Sequence, residues 1–108
     1  LTKLRVKLYC KSQRDELIEA ELLWDEETIE HIWERHHLTI EEVDEAFHDS
    51  EALIHAGGKY GRQVIYGRTE AGRYLVIIVK FESRQVAELV TARQMTDSEK
   101  RRYKRRLK

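Results

Sequence analysis

The sequence predicts an α+β fold: an antiparallel sheet of three to five strands, with two helices N-terminal to most of it and one helix at the C-terminus. Three observations carry that prediction. Between residues 24 and 47 apolar residues recur at spacings of three and four, the period of a helix with one buried side. From residue 52 the period shortens to two and glycine-bearing turns separate short stretches, the pattern of antiparallel strands. After residue 95 a capping signal opens a last helical segment. Helices grouped before and after a run of strands, not alternating with them, belong to the α+β class.

Each element has a local reason. Residues 4–9, LRVKLY, alternate Leu4, Val6 and Leu8 with Arg5, Lys7 and Tyr9, which reads as a strand; 14–24 fit either helix or strand. In 24–37, Asp25 is a suitable N-cap, Glu26 and Glu27 suit the positive end of the helix dipole, and Ile29, Ile32, Trp33 and His36 share a face. A second short helix starts at Ile40. Thr39 and Glu42 make a capping box, Leu38 and Val43 a hydrophobic staple, and Ile40, Val43 and Phe47 form the buried side. Residues 52–56 are a short apolar stretch closed by Gly57–Gly58. Residues 62–69 form a strand with Arg62, Val64, Tyr66 and Arg68 on one face, and Gly72 supplies the turn that follows. Residues 74–81, YLVIIVKF, are nearly all apolar, as in a central strand covered on both sides. Residues 85–93 are the next strand. Thr96 and Glu99 make a second capping box, which starts the last helix near Asp97.

The 108 residues suit one domain, and 41% apolar content supports a small core. No long apolar run or signal-peptide pattern is visible, and Cys10 is the only cysteine, so no internal disulfide forms; a cytoplasmic setting is expected. The formal charge is zero, but unevenly spread. Residues 1–56 carry 6 basic and 15 acidic side chains, residues 57–108 carry 14 and 5. That split predicts a basic surface for an anionic partner, or two halves that attract each other. No metal is expected: His31, His36, His37, His48 and His55 follow no zinc-ligand spacing, and Cys10 has no ligand nearby. No phosphate-cradling glycine loop or nucleophile motif appears.

The strongest anomaly is the last helix. Tyr103 and Leu107 are its only large apolar residues, while Lys100, Arg101, Arg102, Lys104, Arg105 and Arg106 cover the rest. Two anchors offer only a few kcal/mol at about 25 cal/mol per Å², close to the cost of ordering the helix. Such crowding of like charge fits a solvated end or a polyanion-binding surface. Arg62, Arg68, Arg73, Lys80, Arg84 and Arg93 sit on strands or at their ends, and alternation groups Arg93 with Ala87, Leu89 and Thr91. An arginine among apolar neighbours holds either a specific oxygen pair or a structural carboxylate, with Glu88 one candidate.

Residues 24–106 resemble the BrnT family of type II toxin–antitoxin toxins, which are RelE-like ribonucleases. WDEE…ERHHLTIEEV is similar to that family's opening, YGRTEAGRYLVIIV to its glycine–arginine hairpin, and VTARQMTDSEKRRYKRR to its closing signature. Residues 1–23 fall outside the resemblance as an extension. Three positions depart from the family pattern: Thr28 where a lysine is common, His37 where a glycine is common, and Glu88 where an arginine is common.

The resemblance implies a RelE-like fold and metal-independent RNA cleavage without a cofactor, in which the 2′-hydroxyl attacks the adjacent phosphorus. For that chemistry the expected residues are Arg68 and Arg93 at the scissile phosphate, His36 in proton transfer or RNA orientation, and Arg62, Lys80 and Tyr103 in secondary roles. Arg101, Arg102, Arg105 and Arg106 would bind flanking backbone. The implied partners are RNA and a small ribbon-helix-helix antitoxin, in a homodimer or a toxin–antitoxin hetero-oligomer. A non-catalytic nucleic-acid-binding module, or an interaction domain joined through its oppositely charged halves, is compatible with the same residues.

Overall fold

The computed structural model describes residues 6–11, 17–55, 61–83 and 85–106. Six strands and three helices follow in the order β1 (Val6–Lys11), β2 (Leu17–Leu23), α1 (Glu26–His36), α2 (Ile40–Phe47), β3 (Leu53–His55), β4 (Arg62–Arg68), β5 (Tyr74–Ser83), β6 (Val86–Gln94) and α3 (Asp97–Arg106). The expected α+β class holds, but the sheet is larger than expected and mixed. Its strands run β1-β2-β6-β5-β4-β3 and close into a barrel. The β3–β4–β5–β6 run is antiparallel; β2 joins β6, and β1 joins β3, in parallel. The two additional strands come from the extension outside the resemblance. Its 17–23 stretch, open between helix and strand, is the strand β2. Gly57–Gly58, Arg84 and Leu107 lie outside the described residues.

The helix signals operate as their chemistry dictates. The Asp25 carboxylate accepts from the Thr28 amide at 2.8 Å and opens α1. Thr39 and Glu42 exchange side-chain and backbone bonds at the start of α2, and Leu38 and Val43, the staple around that cap, are both fully buried. Between the two helices His37 adopts φ 54°, ψ 39° and donates its amide to the Trp33 carbonyl at 2.9 Å. This left-handed C-cap conformation favours glycine, so a glycine is the natural occupant of the position.

The sheet separates two apolar layers. On one side α1 and α2 cover the main core, where Ile32, Val43, Phe47, Ile65, Leu75, Ile77 and Leu89 are buried. Full burial of such side chains contributes about 1.5–3 kcal/mol each. On the other side Tyr103 of α3 and Met95, just before that helix, pack with Val76, with Leu53, Val64, Tyr66, Tyr74 and Ile78 around them. Strand β5 is therefore covered on both faces, as its near-continuous apolar run predicts.

Two expectations fail for definable reasons. Trp33 is 52% exposed, because α1 turns Ile29 and Ile32 to the sheet and leaves Trp33 edge-on to the His37 ring, centroids 5.7 Å apart. Arg93 also does not share a face with Ala87 and Leu89. The β5–β6 register slips after Ile78, which pairs with Thr91 while Val79 pairs with Leu89, so Val90 is an extra residue in β6. Past that bulge the inward and outward positions exchange. Ala87 and Leu89 enter the main core, whereas Thr91 and Arg93 face the α3 side.

Candidate functional site

The basic residues gather on the α3 side of the sheet. Strand alternation places Arg62, Val64, Tyr66 and Arg68 of β4 there, together with Tyr74, Val76, Ile78 and Lys80 of β5. Arg62 and Lys80 stand directly opposite each other and are exposed; Glu88 faces Lys80 from the next strand. Helix α3 covers one end of this surface and leaves the Arg62–Lys80 end open. The acidic side chains of α1 and α2 (Glu26, Glu27, Glu30 and Glu34; Glu41, Glu42, Asp44 and Glu45) belong to the opposite layer. The charge split along the chain thus becomes a split across the sheet.

Helix α3 is held down from beneath and has two flanks. Tyr103 is buried, and its hydroxyl lies 3.2 Å from the Asp49 carboxylate and 3.1 Å from the Glu51 carbonyl. Burial and the adjacent Asp49 raise its pKa well above the ordinary value, so the phenol stays neutral. Its ring meets Tyr74 edge-on at 5.9 Å. On one flank, Lys100 and Lys104 each place an ammonium 5.2 Å from the Tyr74 centroid. On the other flank, Glu99, Arg102 and Arg106 line a cleft of about 120 Å³ with Leu53, His55 and Tyr66. Arg101 and Arg105, at the remaining helical positions, point away from the sheet and are exposed.

This arrangement divides the residues that sequence reasoning grouped. Arg68 is fully exposed at the end of β4, hydrogen-bonded to the Tyr74 hydroxyl, which raises its pKa further and places it on the Lys100–Lys104 side. Arg93 is on the other side of Tyr103, and its guanidinium is held by Glu99 through two bonds of 2.8 and 2.9 Å, with the Gln94 carbonyl at 3.1 Å. Glu99 was not anticipated as the partner of Arg93, although the Thr96–Glu99 capping box marks the residue in the sequence. Its carboxylate serves both: Oε1 accepts from the Thr96 amide at 2.9 Å and from Arg93. The Arg93 bond, aided by the cap, holds Glu99 at about 2 against the opposing effect of its burial. A parallel pair exists at α2, where Arg73 binds Glu42, the capping-box glutamate of that helix.

His36 is half-buried in the last turn of α1. Burial, then the charges of His31, Arg93 and Arg35, lower its pKa, so it is neutral at pH 7 and within electrostatic reach of Arg93. Among the described residues no group of three or more His, Cys, Asp or Glu is placed to hold a metal ion, and no helix is long and apolar enough to cross a membrane.

The architecture is that of a ribonuclease toxin of known structure. One such structure is that of BrnT of Brucella abortus, which superposes with a TM-score of 0.55 over 68% of this chain and 94% of that one. Sequence identity is 16%, so the likeness is one of fold. No protein-family profile and no curated protein matches the chain.

Proposed function

We propose that the protein is the toxin of a type II toxin–antitoxin pair and a metal-independent endoribonuclease. The observation that carries this reading is the collection of Arg62, Lys80, Arg93, Arg102 and Arg106 on one sheet face, in a fold shared with a ribonuclease toxin. A single RNA strand enters the cleft beside α3 and continues over the open Arg62–Lys80 end. Arg93 holds the scissile phosphate, since its planar fork engages two oxygens and stays charged as the phosphorane develops. His36, neutral at pH 7, takes the 2′-hydroxyl proton as that oxygen bonds to phosphorus, and returns it to the 5′-oxygen as the P–O5′ bond breaks. Arg102 and Arg106 bind backbone within the cleft; Arg68, Arg101 and Arg105 bind it outside. Tyr103 serves the scaffold, because its hydroxyl is already engaged. A small ribbon-helix-helix antitoxin with acidic and apolar side chains covers the same face.

One observation favours a second reading, a nucleic-acid-binding module without cleavage: Glu99 already occupies Arg93. Incubation of labelled RNA with the protein in chelator separates the two. Cleavage by the parent, reduced at least about 100-fold in Arg93→Ala, is expected, the scale of losing one oxyanion contact. Salt-sensitive retention without cleavage selects the binding module, and undiminished cleavage by Arg93→Ala removes the assignment of that residue.

A further inference from the structure

We propose that Arg93, Arg102 and Arg106 form a phosphodiester site on the sheet face, which the Glu99 carboxylate fills in the free protein as an internal substitute. The identity of the occupant rests on the ribonuclease reading; the place of the site rests on geometry. Glu99 lines the cleft beside Arg102 and Arg106, while Arg93 holds it from behind through both carboxylate oxygens. A carboxylate and a phosphodiester offer a guanidinium the same thing, two anionic oxygens matched to two parallel N–H donors. The Glu99 carboxylate thus occupies the edge of Arg93 that an RNA phosphate in this cleft would take.

The second capping-box pair of the molecule shows why this one is different. Arg73 and Glu42 neutralise each other beside Glu41, Asp44 and Glu45, in an acidic setting with no use for a further anion. At α3 the carboxylate bound to Arg93 is the only one lining a cleft that also holds Arg102 and Arg106, and among the described residues no hydrogen bond or ion pair engages Arg102 or Arg106. The positive excess invites an anion richer in charge and reach than Glu99. Exchange is mild for the helix: Glu99 releases the Thr96 amide, while its own amide keeps the Thr96 hydroxyl at 3.2 Å. Glu99 is then a positioning residue that holds the Arg93 guanidinium at the edge of the cleft until RNA displaces it.

The probe is a single-stranded 2′-O-methyl RNA oligonucleotide, which binds but cannot be cut, titrated in chelator at fixed salt. Glu99→Gln keeps a cap acceptor and removes the competing charge. Its affinity is expected to rise about tenfold, the change brought by one charge-assisted contact. Asp97→Asn makes the same change of net charge at an exposed position outside the cleft, and is expected to gain about twofold or less. Adding Arg93→Ala to Glu99→Gln should abolish the gain. The double change Arg102→Ala with Arg106→Ala, on the surface and clear of the cap, should weaken binding about tenfold or more. The site is overturned by any of four results: Glu99→Gln binds no tighter than Asp97→Asn; its gain survives without Arg93; the Arg102/Arg106 pair is indifferent; or neither parent nor Glu99→Gln retains the RNA. Unmodified RNA run alongside distinguishes the two readings. The affinity gain without cleavage by any variant leaves the site and removes the ribonuclease, whereas cleavage by the parent without the gain does the reverse.

Discussion

At the scale of single residues, two positions show what the local chemistry costs and stabilises. His37 holds a left-handed conformation that a side chain other than glycine enters at a cost of about 1 kcal/mol or more, offset in part by its edge contact with Trp33. His37→Gly should therefore raise stability by about 0.5–1 kcal/mol, seen as an upward shift of the thermal midpoint; a fall would show that the ring contact outweighs the backbone strain. Glu99 has the opposite character. Its folded pKa, about 2, lies below its ordinary 4.5, so the stability it lends is complete above pH 4.5 and drains as the pH falls from there to about 2. The loss is at most roughly 3 kcal/mol, and less in practice because Arg93 is 38% exposed. Urea midpoints compared at pH 5 and pH 2.5 should fall more in the parent than in Glu99→Gln. What sequence could not reveal at this scale was the partner of Arg93. Glu99 is six positions away across a strand–helix junction, and only the backbone's change of direction brings the two together.

At the scale of elements, sequence legibility followed the range of the interactions involved. Helices declared themselves through contacts three or four residues apart: the Asp25 cap, the Thr39–Glu42 box, the Thr96–Glu99 box. Strands β4 and β5 declared themselves through alternation or its absence. The closure of the sheet by β1 and β2 was not legible, because parallel pairing across the chain leaves no local period. The bulge at Val90 was not legible either, and that one residue moved Ala87 and Leu89 into the core and so changed the company of Arg93. Tyr103 was legible as an anchor of α3, and the structure adds what it is anchored to. Tyr103→Phe removes the hydroxyl from Asp49 and Glu51 while keeping the ring on Tyr74. It should cost about 1–2 kcal/mol in chemical denaturation and leave RNA cleavage within about twofold of the parent. A loss of cleavage far beyond the loss of stability would return Tyr103 to the chemistry.

At the scale of the whole molecule, a chain of zero net charge is a strongly polar object. Its sheet holds an acidic layer on α1 and α2 apart from the arginines and lysines of α3 and the open sheet face. With no net charge to keep copies apart, the acidic layer of one molecule attracts the basic layer of the next, and such a head-to-tail contact need not close. The attraction depends on screening: its reach is about 30 Å at 0.01 M salt and about 8 Å at 0.15 M. Light scattering at pH 7 should therefore show association at low salt that disperses as salt rises. Short single-stranded RNA added at low salt should disperse it as well, since RNA competes for the basic layer and gives each molecule net negative charge. Association that persists at high salt would point to an apolar contact, for which exposed Trp33 is the first residue to change. Association that salt disperses but RNA does not would mean that the basic layer which attracts the neighbouring molecule is not the one that receives nucleic acid.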